Sequence, residues 1–203
     1  MSHRRISKEE LVCRIQQVEP LGTKPVFVAI SGFGGSGKST LANFVVEKLE
    51  SVSIIPIDDF IIGERTHRSA DWSTFDRLRL QNEILRRAVI GKTLRYQQFH
   101  SGEWVSGVGG AWRELSIGEI VVIEGCGVIH PNLMPFYDYS AWIDCPQDIA
   151  LVSAKKRDAN EAELFRDDDT TLLWDTVWGP NDSDYFEQFR PDLSATVLVE
   201  PQF

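Results

Sequence analysis

An α/β fold with a mainly parallel sheet follows from three observations on the sequence. Short runs that are apolar at nearly every position, such as "VFVAI" (26–30) and "EIVVIEG" (119–125), have the length and β-branched content of strands buried on both faces. Segments with apolar residues at helical spacing alternate with them. Between "VFVAI" and the helix that follows it lies "GFGGSGKS", Gly32 to Ser39, a complete GxxxxGK[ST] string.

Taken in order, "SKEELVCRIQQV" reads as a helix. Ser7 and Glu10 have capping-box spacing, and Leu11, Ile15 and Val18 recur on one face. Pro20, Gly22 and Pro25 end it before the first strand. After the glycine-rich turn comes the amphipathic helix "STLANFVVEKL", then a second strand, "SVSIIPI" (51–57). Phe75 to Ile90 is patterned as a helix, with Gly91 as its stop. Residues 97–118 are rich in Gly, Ser and Trp and read as a loop or small ribbon outside the core. Strands are expected at 119–125, 140–145 and 196–200, with a helix opened by Pro146 between the last two. The acidic stretch 157–169 reads as solvated.

The bulk composition excludes several classes of function. A formal net charge of −9 disfavours binding to a nucleic-acid backbone or an anionic membrane. No apolar run is long enough for a membrane helix, and the first ten residues lack the apolar core of a secretory signal. Cys13, Cys126 and Cys145 lie far apart with no CxxC pair. That pattern points to reduced thiols and a cytoplasmic location. The expected partner is a small-molecule substrate, with a homo-oligomer left open.

Gly32–Ser39 carries the strongest chemical signal. Gly32, Gly34, Gly35 and Gly37 let the backbone curl so that its N–H groups point at phosphate oxygens, with Ser36 and Thr40 also expected among the nucleotide-binding residues. The helix N-terminus adds partial positive charge. Lys38 would reach the outer phosphates of ATP, and the Ser39 hydroxyl would ligate Mg²⁺. The DxxG and NKxD strings of a GTPase and the LSGGQ-like signature of an ABC-type ATPase do not occur. Two adjacent acids, Asp58 and Asp59, end the second strand in "SIIPIDDF". From the residues alone they read as a metal ligand, a proton acceptor or a polar strand end.

"ISGFGGSGKSTLA", "PIDDF" and "VVIEGCGVI", in this order, resemble the uridine kinase and phosphoribulokinase-like group of P-loop kinases. "FDRLRLQNEILRRAVIGKTLRYQQFHSGEW", "WIDCPQDIALVSAKKRD" and "WGPNDSDYFEQFRPDLSATVLVE" extend the likeness over roughly residues 25–200. The resemblance implies a three-layer P-loop NTPase fold with a small lid and a substrate loop. It also implies ATP-dependent phosphorylation of a small-molecule hydroxyl, most simply a nucleoside's. Residues 1–24 would then be an N-terminal helix and connection, and 25–203 the P-loop kinase domain. Asp58 maps to the group's catalytic base, with Asp59 supporting the metal. Glu124 maps to its Walker-B-like magnesium acid, and Arg157, in "RD", to a lid arginine that steadies the transferring phosphate. Asp71, Asp76, Tyr96 and His100 fall in the substrate-side segments. His100 stands where many relatives carry an acid. Further lid arginines are missing around "ANEAELF". Nicotinamide riboside, pantothenate and sugars remain alternative acceptors, and a nucleotide-binding regulator or simple NTPase is the alternative from another class. Cys126 reads as a small packed residue.

Overall fold

Six parallel strands form the central sheet in the order β1-β8-β7-β2-β6-β3. The structure is a computed structural model and describes residues 5–62, 73–99, 109–165 and 170–201. The strands are β1 (Arg5–Ile6), β2 (Val26–Ser31), β3 (Val52–Pro56), β6 (Ile120–Glu124), β7 (Tyr139–Ile143) and β8 (Val197–Val199). Two more strands, β4 (Thr93–Phe99) and β5 (Gly109–Ser116), pair antiparallel in a separate ribbon.

Every residue of β2 and of β7 is buried, as their unbroken apolar runs require of strands covered on both faces. The flanking helices begin with α1 (Lys8–Gln16) and α2 (Lys38–Lys48). Ser7 caps α1 by accepting the Glu10 N–H at 3.2 Å, as the capping-box spacing predicts. Leu11 and Ile15 are fully enclosed and fasten the helix to the core. Truncating either to alanine is expected to cost about 2–5 kcal/mol.

The segment 75–90 departs from the expected single helix. It forms α3 (Arg77–Leu80) and a π-type continuation, Gln81–Leu85, and then turns. The turn lets the Ile90 N–H reach Thr23 O and the Gly91 N–H reach Ile117 O, bonds that a helix running to Ile90 would forgo. The ribbon expected in 97–118 begins earlier, at Thr93. Leu94 and Tyr96 on β4 belong to the core.

Beyond β7, α4 (Gln147–Phe165) runs well into the stretch expected to be solvated. Then follow α5 (Thr170–Leu173), a π-type segment Trp174–Trp178, α6 (Gly179–Phe189) and α7 (Pro191–Ser194). The N-terminal β1 pairs with β8 at one edge of the sheet, a pairing with no local signal in two residues of sequence. No helix among the described residues is long and apolar enough to cross a membrane.

Candidate active site

The register of the sheet brings the candidate residues to one end of it. Glu124 closes β6 opposite Ile30 of β2 on one side and Pro56 of β3 on the other. The glycine-rich loop leaves β2 one residue after Ile30's neighbour Ser31, and the 3₁₀ turn Ile57–Phe60 carries Asp58 and Asp59 off the end of β3. Strand C-termini in an open parallel sheet are where such folds place their ligands.

The loop has the backbone that a phosphate cradle needs. Gly35 and Gly37 sit at φ of +83° and +93°, in the left-handed region that favours glycine, and Gly37 caps α2. Lys38 is buried, and its Nζ donates to Phe33 O at 2.7 Å. No salt bridge engages it among the described residues. Desolvation works against its charge, but Cys126, Asp182 and Glu124 outweigh it and raise the ammonium above its usual range. The Ser36 hydroxyl is buried with no hydrogen-bond partner among the described residues. A buried ammonium and an orphaned hydroxyl in one loop fit a bound polyphosphate.

The Ser39 hydroxyl donates to Glu124 Oε1 at 3.3 Å, which places the two expected magnesium ligands side by side. No group of three or more His, Cys, Asp or Glu side chains forms a metal cage among the described residues. The sparse pair suits Mg²⁺, which binds through one or two protein groups and completes its shell with phosphate and water. Burial raises the Glu124 carboxyl; Lys38 opposes the shift and Asp58 adds to it. Thr40 is exposed at the start of α2, next to Ser39.

The two adjacent acids separate in role. Asp58 is exposed at the end of β3, yet the protein around its carboxyl desolvates it and raises it above the usual carboxylate range. Lys38 and Arg157 pull against that shift, and Asp59 reinforces it. Asp59 is buried, and its oxygens accept from Tyr96 Oη at 2.7 Å, Gln98 Nε2 at 3.0 Å and Arg113 Nη1 at 3.1 Å. These partners turn it toward the ribbon, so the expected supporting role at the metal does not fit this placement. Arg113, which the sequence reading missed, faces Tyr96 across the ribbon.

Two of the expected substrate residues are likewise engaged in structure. Tyr96 is fully enclosed, stacked on Phe60 with ring centroids 5.4 Å apart, and its hydroxyl is spent on Asp59. It therefore has no face open to a ligand. Burial, then Asp59, raises its phenol well above the ordinary value. Asp76 caps α3, accepting the Arg79 N–H at 2.8 Å, because its carboxylate sits one residue ahead of the helix. Asp71 and His100 lie outside the described residues.

Arg157 projects from α4, and both its Nε (2.7 Å) and its Nη2 (2.6 Å) reach Asp158 Oδ1. Its positive charge works against the raised carboxyl of Asp58, after that of Lys38. Cys126 donates to Gly32 O at 3.3 Å, and burial pushes its thiol up to about 12, which makes it packing rather than a nucleophile.

No protein-family model matches the chain. In sequence it is 25% identical over 150 residues to a uridine kinase from Geobacillus sp. (strain WCH70), covering 70% of this chain and 71% of that one. In structure it is similar to a "Possible Uridine Kinase" from Bacillus stearothermophilus, with a TM-score of 0.69 at 19% identity over 95% of this chain and 96% of that one. A D-glycerate 3-kinase from Cryptococcus neoformans var. grubii gives 0.66 at 12% identity, covering 95% and 92%. The fold is that of the P-loop kinases. Together with the loop and the acids at the strand ends, these likenesses support the uridine kinase and phosphoribulokinase-like group of P-loop kinases as the family of this chain.

Proposed function

We propose that the chain is an ATP-dependent kinase that transfers the γ-phosphate to a hydroxyl of a small molecule, with a nucleoside as the first acceptor to test. The observation that carries this reading is the split between the paired acids. Asp59 is consumed by three hydrogen bonds, while Asp58 is exposed, with its carboxyl raised and the charges of Lys38 and Arg157 acting on it.

A carboxylate in that place suits general-base work. As the acceptor oxygen forms its bond to the γ-phosphorus and the bond to the β-phosphate oxygen breaks, the hydroxyl proton passes to Asp58 and ADP leaves. A raised pKa brings the base nearer the working pH, where proton transfer is most effective. Lys38 and the loop N–H groups hold the phosphates, and Arg157 steadies charge on the transferring group. Mg²⁺, held by Ser39 and Glu124, would neutralise phosphate charge and orient the oxygens. Most of the rate enhancement then comes from positioning.

The uridine kinase and D-glycerate 3-kinase likenesses make nucleosides and small sugar acids the first acceptors to compare. ADP release coupled to a dehydrogenase signal, over a panel of nucleosides, nicotinamide riboside, pantothenate, sugars and glycerate, tests the reading. Turnover that requires one of these acceptors supports it. Acceptor-independent slow hydrolysis, or nucleotide binding with no turnover, points instead to an NTPase or regulator.

A further inference from the structure

The outer face of the phosphate loop is pressed against the C-terminal helices through specific contacts. The Gly34 N–H donates to Asp182 Oδ2, on α6, at 2.7 Å. A Cβ added at Gly34 would stand 2.3 Å from the Trp174 ring, and one at Gly35 would stand 2.1 Å from the carbonyl oxygen of Ala150 on α4. The Trp174 indole N–H donates to Asp158 Oδ2 at 2.6 Å, and the other oxygen of Asp158 takes Arg157. Asp158, Trp174 and Asp182 are all buried. One continuous set of contacts thus runs from Arg157 through Asp158 and Trp174 to Gly34 and Asp182.

We propose that Asp182 is a positioning residue of the nucleotide site: it holds Gly34 against the Trp174 ring and fixes the phosphate loop relative to α4, the helix that carries Arg157. The inference rests on the reading of Gly32–Ser39 as a nucleotide loop. A loop with four glycines has much backbone freedom to lose when a ligand orders it, and a contact that orders it beforehand raises affinity. An aspartate serves here because an ionised carboxylate makes a stronger bond to a backbone N–H than a neutral group does. Burial raises the Asp182 carboxyl to about 6, with the Gly34 N–H and then Lys38 opposing. The residue does not act on phosphate itself; its effect passes through Gly34.

Calorimetric titration of ADP with Mg²⁺ into the full chain tests this, with thermal melting as the check on folding. Asp182→Ala is expected to weaken ADP binding at least tenfold. Asp182→Asn, which keeps an oxygen for the Gly34 N–H, should stay within threefold of wild type. If Asp182→Ala does not fold, Asp182→Glu takes its place; the extra methylene displaces the oxygen, and the same tenfold loss is expected. Wild-type affinity in the alanine or glutamate variant overturns the proposal, and so does an asparagine variant as weak as they are. Failure of the wild-type chain to bind ADP at all would overturn the nucleotide-site reading itself, and this inference with it.

Discussion

In the glycine-rich loop, the conformation is set by the backbone: Gly35 and Gly37 take left-handed φ values, and the buried Lys38 opens α2. On the other side, Asp58, the proposed base, sits on a four-residue 3₁₀ turn held in place by side chains. Tyr96, Gln98 and Arg113 grip Asp59, and Arg79 reaches Asp59 O at 3.1 Å while its guanidinium lies 4.5 Å above the Phe60 ring. The contrast separates two ways of building a site. A backbone cradle suits a ligand that does not vary, such as a triphosphate. On the proposed function, a turn steadied by side chains lets the acceptor side be rebuilt by substitution while the proposed base stays fixed.

The comparison can be broken first on the nucleotide side. Gly35→Ala combines a left-handed backbone with a Cβ driven into the Ala150 carbonyl, so a loss of more than about 3 kcal/mol of stability is expected in denaturant unfolding. An alanine variant of wild-type stability would show that the loop is not pinned.

Asp182 gives a pH-dependent test of the same face. Its native carboxyl titrates near about 6, against the ordinary 3.8, because burial disfavours the charge; Lys38 attracts it and Asp58 repels it. Between these values the native state holds a proton that the unfolded chain has released, so this group's contribution to stability falls as pH rises through the window. Asp182→Asn lacks this dependence. Its stability relative to wild type should therefore increase by on the order of 2–3 kcal/mol between about pH 4 and pH 7. Parallel stability curves would contradict a raised Asp182.

The smallest effect is expected on the acceptor side. Tyr96→Phe removes one of three donors to Asp59 and should cost about 1–2 kcal/mol, read as a lower melting temperature. ADP affinity should not change. A loss of ADP binding as large as that from Asp182→Ala would erase the distinction between the two sides.

The same contrast explains what was legible in the sequence. Strand, glycine loop, Lys38 and Ser39 are contiguous, and Glu124 ends an apolar run, so local pattern sufficed to place them at the strand ends. Asp59 and Tyr96 were misplaced because what occupies them lies far along the chain. Asp59 meets Tyr96 across 37 residues and Arg113 across 54. The ribbon strand "TLRYQQF" offers only Leu94 and Tyr96 as alternating inward residues, too short a pattern to mark Tyr96 as core. Asp76 was read as a ligand, although an acid just ahead of a helix is as readily its cap. Asp182, 148 residues from Gly34, belonged to no motif. A signal was nevertheless present: Asp182, Tyr185, Phe186 and Phe189 recur at helical spacing, which puts an acid on an apolar face.

Asp58→Asn most directly tests the central claim. With the acceptor found in the panel, turnover should fall by roughly 10²–10⁴-fold while ADP affinity, measured on the same preparation, stays at the wild-type value. Turnover that survives nearly intact would contradict the assignment of Asp58 as the proton acceptor.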